Sequence, residues 1–101
     1  MKRTIKRVDS FRVYILECND GTYYTGYTNN LEKRIQEHNN SKRGAKYLRG
    51  KKPVELVWRK EYKYLRYAMR AEYKIKRLNR RQKQELINGR RLDKVSSKKN
   101  G

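Results

Sequence analysis

The sequence predicts an α+β domain, a small three-stranded sheet flanked by helices, in the order β-β-α-β-α-α. Two segments rich in β-formers, Phe11 to Glu17 and Thr22 to Tyr27, bracket the turn signal Asn19-Asp20-Gly21. Apolar residues starting at Leu31, and again at Leu65, recur at helical spacing. Between these helices Pro53 precedes one more β-rich run, Val54 to Glu61.

The first two strands form a hairpin whose loop length decides which side chains share a face. A two-residue Asp20-Gly21 turn would send Tyr14 and Tyr24 to opposite faces. A three-residue Asn19-Asp20-Gly21 loop with Gly21 left-handed sets Tyr24 opposite Leu16, on the face of Tyr14. The Asn-Asp-Gly order favours the longer loop. Thr28-Asn29-Asn30 then offers caps, with Glu32 three residues after Asn29 as a capping-box partner. A helix is expected from Leu31 to about Asn39, and a polar, basic loop from Asn40 to Lys52. The third strand follows, its alternation weaker. A longer helix covers Tyr64 to about Arg80, and a shorter one Gln82 to Asn88, closed by Gly89 at the C′ position.

A chain of 101 residues has the size of one domain with a single modest core. Residues 1–10 read as a basic arm, 11–89 as the domain and 90–101 as a flexible basic tail. Lys and Arg number 29 against 10 Asp and Glu, a net charge of +19. Such a field attracts polyanions and speeds their association. No segment joins a clean apolar face to the length that membrane binding needs, so no membrane partner is expected. Asp9 and Arg12 interrupt any apolar run behind Met1-Lys2-Arg3, unlike a signal peptide. Cys18 is the only cysteine, which excludes an intrachain disulfide and a cysteine-rich zinc site. A cytoplasmic location is expected.

Leu31, Arg34, Ile35 and His38 fall at i, i+3, i+4 and i+7, so the apolar pair draws Arg34 and His38 to the edge of the core. The structural alternative leaves Arg34 snorkelling to solvent and His38 a helix-terminal cation. On the long helix, Leu65, Ala68, Met69, Ala71, Ile75 and Leu78 define a broad apolar face, and Glu72 lies within it. A carboxylate there is costly unless it is paired, hydrogen-bonded or holding a cation. An internal ion pair to an arginine is one solution and a single hard metal ion is another, because Mg²⁺ accepts one protein carboxylate and keeps several waters. Asp20 is occupied by the turn. Asp9, Glu17, Glu32, Glu37, Glu55, Glu61, Glu85 and Asp93 occupy positions that can face solvent, so a two-metal carboxylate cluster is not expected.

A one-metal phosphodiesterase would give each remaining group a task. Arg34 can set its fork on the phosphate, and a tyrosine hydroxyl with His38 nearby can take the proton of the attacking water. Most of the nine tyrosines, including Tyr62, Tyr64, Tyr67 and Tyr73, suit packing or base stacking. In the basic loop, Arg43, Lys46, Tyr47 and Arg49 combine cations with an aromatic, as phosphate contact plus stacking requires.

With these residues in place, the chain resembles the GIY-YIG nuclease superfamily. Arg12-Val13-Tyr14 stands at the first tyrosine motif and Tyr24-Thr25-Gly26 at the second, with Arg34, His38 and Glu72 in register behind them. Arg12 and Val13 depart from the glycine and isoleucine of the first motif, and Thr25 from the isoleucine of the second. Arg43-Gly44-Ala45-Lys46-Tyr47 resembles the small, stand-alone bacterial members. The resemblance implies a three-stranded antiparallel sheet and cleavage through one Mg²⁺ (or Mn²⁺). It implies Tyr14, Tyr24, Arg34, His38 and Glu72 as catalytic residues, with Glu72 the metal ligand. Many members also carry an asparagine in the last helical region, where Asn79 and Asn88 are available. The expected activity is endonucleolytic hydrolysis of nucleic acid, DNA ahead of RNA. The alternative is a module that binds nucleic acid on the same fold without cleaving it.

Overall fold

The computed structural model describes residues 10–40, 48 and 50–96. Strands β1 (Phe11–Glu17), β2 (Tyr23–Thr28) and β3 (Glu55–Tyr62) form one antiparallel sheet in the order β2-β1-β3. Helices α1 (Leu31–Asn40), α2 (Leu65–Lys76), α3 (Arg80–Ile87) and α4 (Leu92–Val95) complete the fold. Among the described residues, no helix is long and apolar enough to cross a membrane.

The central strand β1 is covered on both faces, so it reads as a continuous apolar run with only partial alternation. Val13 and Ile15 join Ala68, Ala71 and Ile75 of α2, Leu86 of α3 and Val95 of α4 in one cluster. Tyr14, Leu16 and Cys18 turn the other way and pack with Leu31, Leu48 and Val54, with Tyr24, Ile35 and Leu56 against them. The sheet therefore has α1 on one side and α2 to α4 on the other.

The hairpin takes the three-residue form. Cys18 and Thr22 close the loop, Gly21 donates to the Cys18 carbonyl at 2.8 Å, and Gly21 has φ +85. That left-handed value is why the third loop residue is glycine. Asp20 is held inside the loop: it accepts from the Thr22 hydroxyl at 2.6 Å and the Thr22 N–H at 3.1 Å, and pairs with Lys51. Tyr14 consequently lies opposite Gly26 and Leu16 opposite Tyr24.

Several boundaries differ from the sequence expectation. A register shift between Ile15 and Leu16, which face Trp58 and Leu56, inserts Val57 into β3 and accounts for its weak alternation. The cap of α1 is Asn30, whose Oδ1 accepts the Lys33 N–H at 3.2 Å, so Glu32 is not the partner of a cap at Asn29. The long helix ends at Lys76 because Asn79 starts α3 with a capping box to Gln82. Asn79 and Asn88 are thus the N-cap and C-cap of α3. Within the tail expected to fray from Arg90, Leu92–Val95 form α4 and Val95 is buried in the core. Residues 97–101, like residues 1–9 of the expected basic arm, lie outside the described residues.

Candidate active site

The site forms around the phenol of Tyr14, at the β2 edge of the sheet. Its ring lies across β2 at the level of Gly26. A Cβ on Gly26 would stand 2.6 Å from the Tyr14 hydroxyl oxygen and 2.9 Å from Cζ. Glycine is required there by close approach, since no real Cβ sits so near another heavy atom. The hydroxyl thereby reaches past the neighbouring strand and meets Nε2 of His38 at 3.0 Å, with both residues buried.

His38 arrives because Leu31 and Ile35 dock α1 on the sheet, carrying the next position of that stripe inward. The imidazole is fully buried and stands edge-on to the Tyr24 ring, with centroids 5.4 Å apart. Tyr14 and Tyr24 centroids are 6.4 Å apart, so three rings form one cluster. His38 is not the helix-terminal cation of the structural alternative. Burial and then the Arg34 charge push its pKa down to about 4, against a smaller opposing effect of Glu37. It is neutral at pH 7.

Burial pushes the Tyr14 phenol up to about 12, reinforced by Tyr24 and Glu72, while Arg34 draws it down by hydrogen bonding and by charge. Arg34 itself sits half-exposed at the mouth of the site, its Nη1 2.8 Å from Glu37 Oε1. The Glu37 hydrogen bond raises the Arg34 pKa further, so its charge is permanent. Glu37 was expected to face solvent; its side chain is 19 % exposed and orients the arginine.

Glu72 approaches from α2, on the opposite side of the sheet, and acts on Tyr14 electrostatically around the β2 edge. Its side chain is 19 % exposed, with Oε2 3.3 Å from Nζ of Lys76 one turn away. The face around it is narrower than the sequence suggested. Ala68, Ala71, Ile75 and Leu78 are buried, whereas Leu65 and Met69 are 41 % and 47 % exposed. Glu72 therefore stands on the rim of the apolar stripe, paired with a lysine and not with an arginine. It is the carboxylate of this site that could take a metal ion. Among the described residues, no group of three or more His, Cys, Asp or Glu is assembled.

Two shallow clefts flank the rings along the β2 edge. One is lined by Thr28, Lys33, Arg34 and Glu37, the other by Tyr23, Tyr24, Thr25, Lys76 and Lys83. Lys76 and Lys83 were not foreseen. The i+4 spacing from Glu72 would have revealed Lys76, but Lys83 depends on how α3 folds back over β2. Arg80 stacks on Tyr23 at 4.5 Å and donates to the Gly21 carbonyl, tying α3 to the hairpin. Thr25, at the isoleucine position of the second motif, is buried toward α2, and its hydroxyl has no hydrogen-bond partner among the described residues. Arg43, Lys46, Tyr47 and Arg49 lie outside the described residues.

An antiparallel three-stranded sheet bearing paired tyrosines, a helix arginine and histidine, and a glutamate from the following helix defines a nuclease-type domain. Residues 10–85 match the GIY-YIG catalytic domain, and the chain belongs to that family. It is 54 % identical over 74 residues to a UPF0213 protein of Bacillus cereus (strain ATCC 10987 / NRS 248), covering 73 % of this chain and 76 % of that one. A UPF0213 protein of Halobacterium salinarum (strain ATCC 700922 / JCM 11081 / NRC-1) is 51 % identical over 75 residues, covering 74 % and 96 %. The solution NMR structure of a UPF0213 protein from Bacillus halodurans matches with a TM-score of 0.52 at 47 % identity, covering 78 % of this chain and 83 % of that one. A protein from E. faecalis, also solved by NMR, matches with a TM-score of 0.57 at 40 % identity over the same shares.

Two expected outcomes follow from this geometry. Gly26→Ala must displace the Tyr14 phenol from His38 and costs about 1–3 kcal/mol of stability, read by urea denaturation. The second concerns pH, because the folded His38 pKa (about 4) is below its ordinary 6.5. The unfolded chain therefore binds the extra proton between those values, so stability is full above 6.5 and lost as pH falls toward 4. Denaturation at pH 7 and 4.5 should differ by about 2–3 kcal/mol through this group. His38→Gln, which removes the only histidine, should flatten that slope.

Proposed function

We propose that this chain is a divalent-metal-dependent endonuclease that hydrolyses nucleic-acid phosphodiester bonds at the β2 edge, DNA ahead of RNA. The observation that carries this is the Tyr14 hydroxyl 3.0 Å from the buried imidazole of His38, under the opposed charges of Arg34 and Glu72. Titratable groups shifted by burial and by specific charges at one accessible edge are a mark of functional sites, and proton transfer at a phosphate would use each of them.

The donor set fits one hard cation. Glu72 is a lone, partly exposed carboxylate whose partner Lys76 is itself 54 % exposed and free to give way. Mg²⁺ or Mn²⁺ held by Glu72, with waters and phosphate oxygens, would polarise the scissile phosphate and stabilise the leaving oxygen. Arg34, oriented by Glu37, sets its guanidinium on the phosphate and offsets the charge gained in the transition state. Tyr14 does not ionise by itself near neutrality, because its pKa is about 12. It works as one member of a relay: the phenol takes the proton of the attacking water and passes its own to Nε2 of neutral His38. The arriving phosphodiester adds negative charge beside His38 and opposes the Arg34 charge that holds its basicity down. The basic clefts at Lys33 and Arg34, and at Lys76 and Lys83, suit the flanking phosphates.

A role in binding without cleavage is favoured by one observation, the Glu72–Lys76 ion pair, which already satisfies the carboxylate. Cleavage of single-stranded, duplex and branched DNA and RNA with Mg²⁺ separates the two. We expect wild-type cleavage that falls at least about 100-fold in Tyr14→Phe, Arg34→Lys and Glu72→Gln, with nucleic-acid binding retained. Binding without Glu72-dependent cleavage on every substrate would establish the non-catalytic role instead.

A further inference from the structure

Helix α2 presents a second surface that the candidate site does not use. Its buried residues Ala68, Ala71 and Ile75 form one stripe, which Leu78 continues just past the end of the helix. At about 100° per residue, Glu72 falls on one flank of that stripe and Tyr67 and Lys74 on the other. Arg66, Arg70, Tyr73 and Arg77 point outward between the two flanks.

Surface helices normally place Lys, Glu and other polar residues on their outer face, yet here Tyr64, Tyr67 and Tyr73 are 51 %, 41 % and 61 % exposed. Each ring carries a cation. Arg66 lies 5.0 Å from the centroid of Tyr67 and 5.8 Å from that of Tyr64, and Arg70 is 5.8 Å from Tyr67. Lys63 is 5.8 Å from Tyr64, and Arg77 is 5.4 Å from Tyr73. Tyr64 and Tyr67 meet edge to face at 5.9 Å. Past Tyr67, a cleft lined by Tyr62, Arg70, Lys74 and Leu92 continues the surface toward α4. Among the described residues, no carboxylate lies within ion-pair distance of Lys63, Arg66, Arg70, Lys74 or Arg77.

The charge selects a polyanion, and the exposed aromatic faces select one with unstacked rings to offer. A duplex presents phosphates but hides its base faces, whereas an unpaired strand offers both. We propose that this ladder, centred on Tyr64, Tyr67, Arg66 and Arg70, is a stacking surface for an unpaired nucleic-acid segment. The segment crosses the outside of α2 between this flank and the Glu72 flank. The assignment rests on the nucleic-acid reading of the candidate site and adds where the strand runs beyond it.

The test uses fluorescence anisotropy in EDTA, so that no cleavage intervenes. The probes are a labelled single-stranded oligonucleotide and a blunt-ended, fully paired duplex of the same length. Tyr64→Ala/Tyr67→Ala should weaken single-strand binding at least about tenfold, as loss of base stacking predicts, and change duplex binding less than about twofold. Tyr64→Phe/Tyr67→Phe, which keeps the rings, should bind as the parent does. Equal loss on both probes, or no loss on either, overturns the proposal. If parent protein shows Glu72-dependent cleavage while the ladder variants bind normally, the ladder alone is refuted. If the parent binds neither probe, both the ladder and the proposed function fail.

Discussion

The hydrogen bond between Tyr14 and His38 sets conditions that most of the structure meets. Both groups are buried, and a buried hydroxyl or imidazole without a partner costs about 1–3 kcal/mol. Each must therefore be delivered to the other. Tyr14 reaches His38 only by lying across β2, which removes any side chain from position 26. His38 reaches Tyr14 only if α1 docks through Leu31 and Ile35, which also fixes Arg34 at the mouth of the site. Asn39 then ties the end of α1 to the residue that precedes β3, accepting from the Val54 N–H at 2.8 Å and donating to the Val54 carbonyl. The neutral imidazole follows from the same constraint, since burial beside a permanent guanidinium leaves no stable place for a second positive charge.

The double-sided burial of β1 explains how two helices on opposite sides of a sheet address one point. Tyr14 and Leu16 bind α1 to one face, while Val13 and Ile15 bind α2 to the other. Because β2 is an edge strand, side chains from both helices approach around it, Arg34 from α1 and Glu72 from α2. The phenol of Tyr14 lies in the field of both. Fold and chemistry meet here: a central strand would have kept the two charges on separate faces. The edge is also where a long polyanion can lie without entering a pocket, and the cations along it occupy both ends.

Much of this was legible in the sequence, for reasons that are local. Asn19-Asp20-Gly21 specified a loop length, and loop length fixed which tyrosines share a face. The i, i+3, i+4, i+7 spacing of α1 forced Arg34 and His38 toward the tyrosines. What was missed depended on three-dimensional context. The bulge at Val57 leaves no signature beyond weakened alternation. Counting apolar residues on α2 overstated its buried face, because Leu65 and Met69 lie beyond Glu72 in helical angle, away from the stripe of Ala68, Ala71 and Ile75, and remain exposed. Asn79 was visible as a cap, with Gln82 three residues later, yet apolar spacing carried the long helix through it. Glu37 was read by its solvent-compatible position, when its spacing from Arg34 was the better guide.

The protonation state of His38 is the point on which the account turns, and the chain's single histidine makes it directly observable. The most direct measurement is a long-range ¹⁵N–¹H NMR titration of the His38 ring from pH 8 to 4. A neutral imidazole through pH 6, with Nε2 unprotonated as acceptor of the Tyr14 hydroxyl and protonation only near pH 4, is the predicted result. An imidazole that titrates near its ordinary 6.5, or that carries its neutral-state proton on Nε2, would contradict the relay and the burial on which it depends.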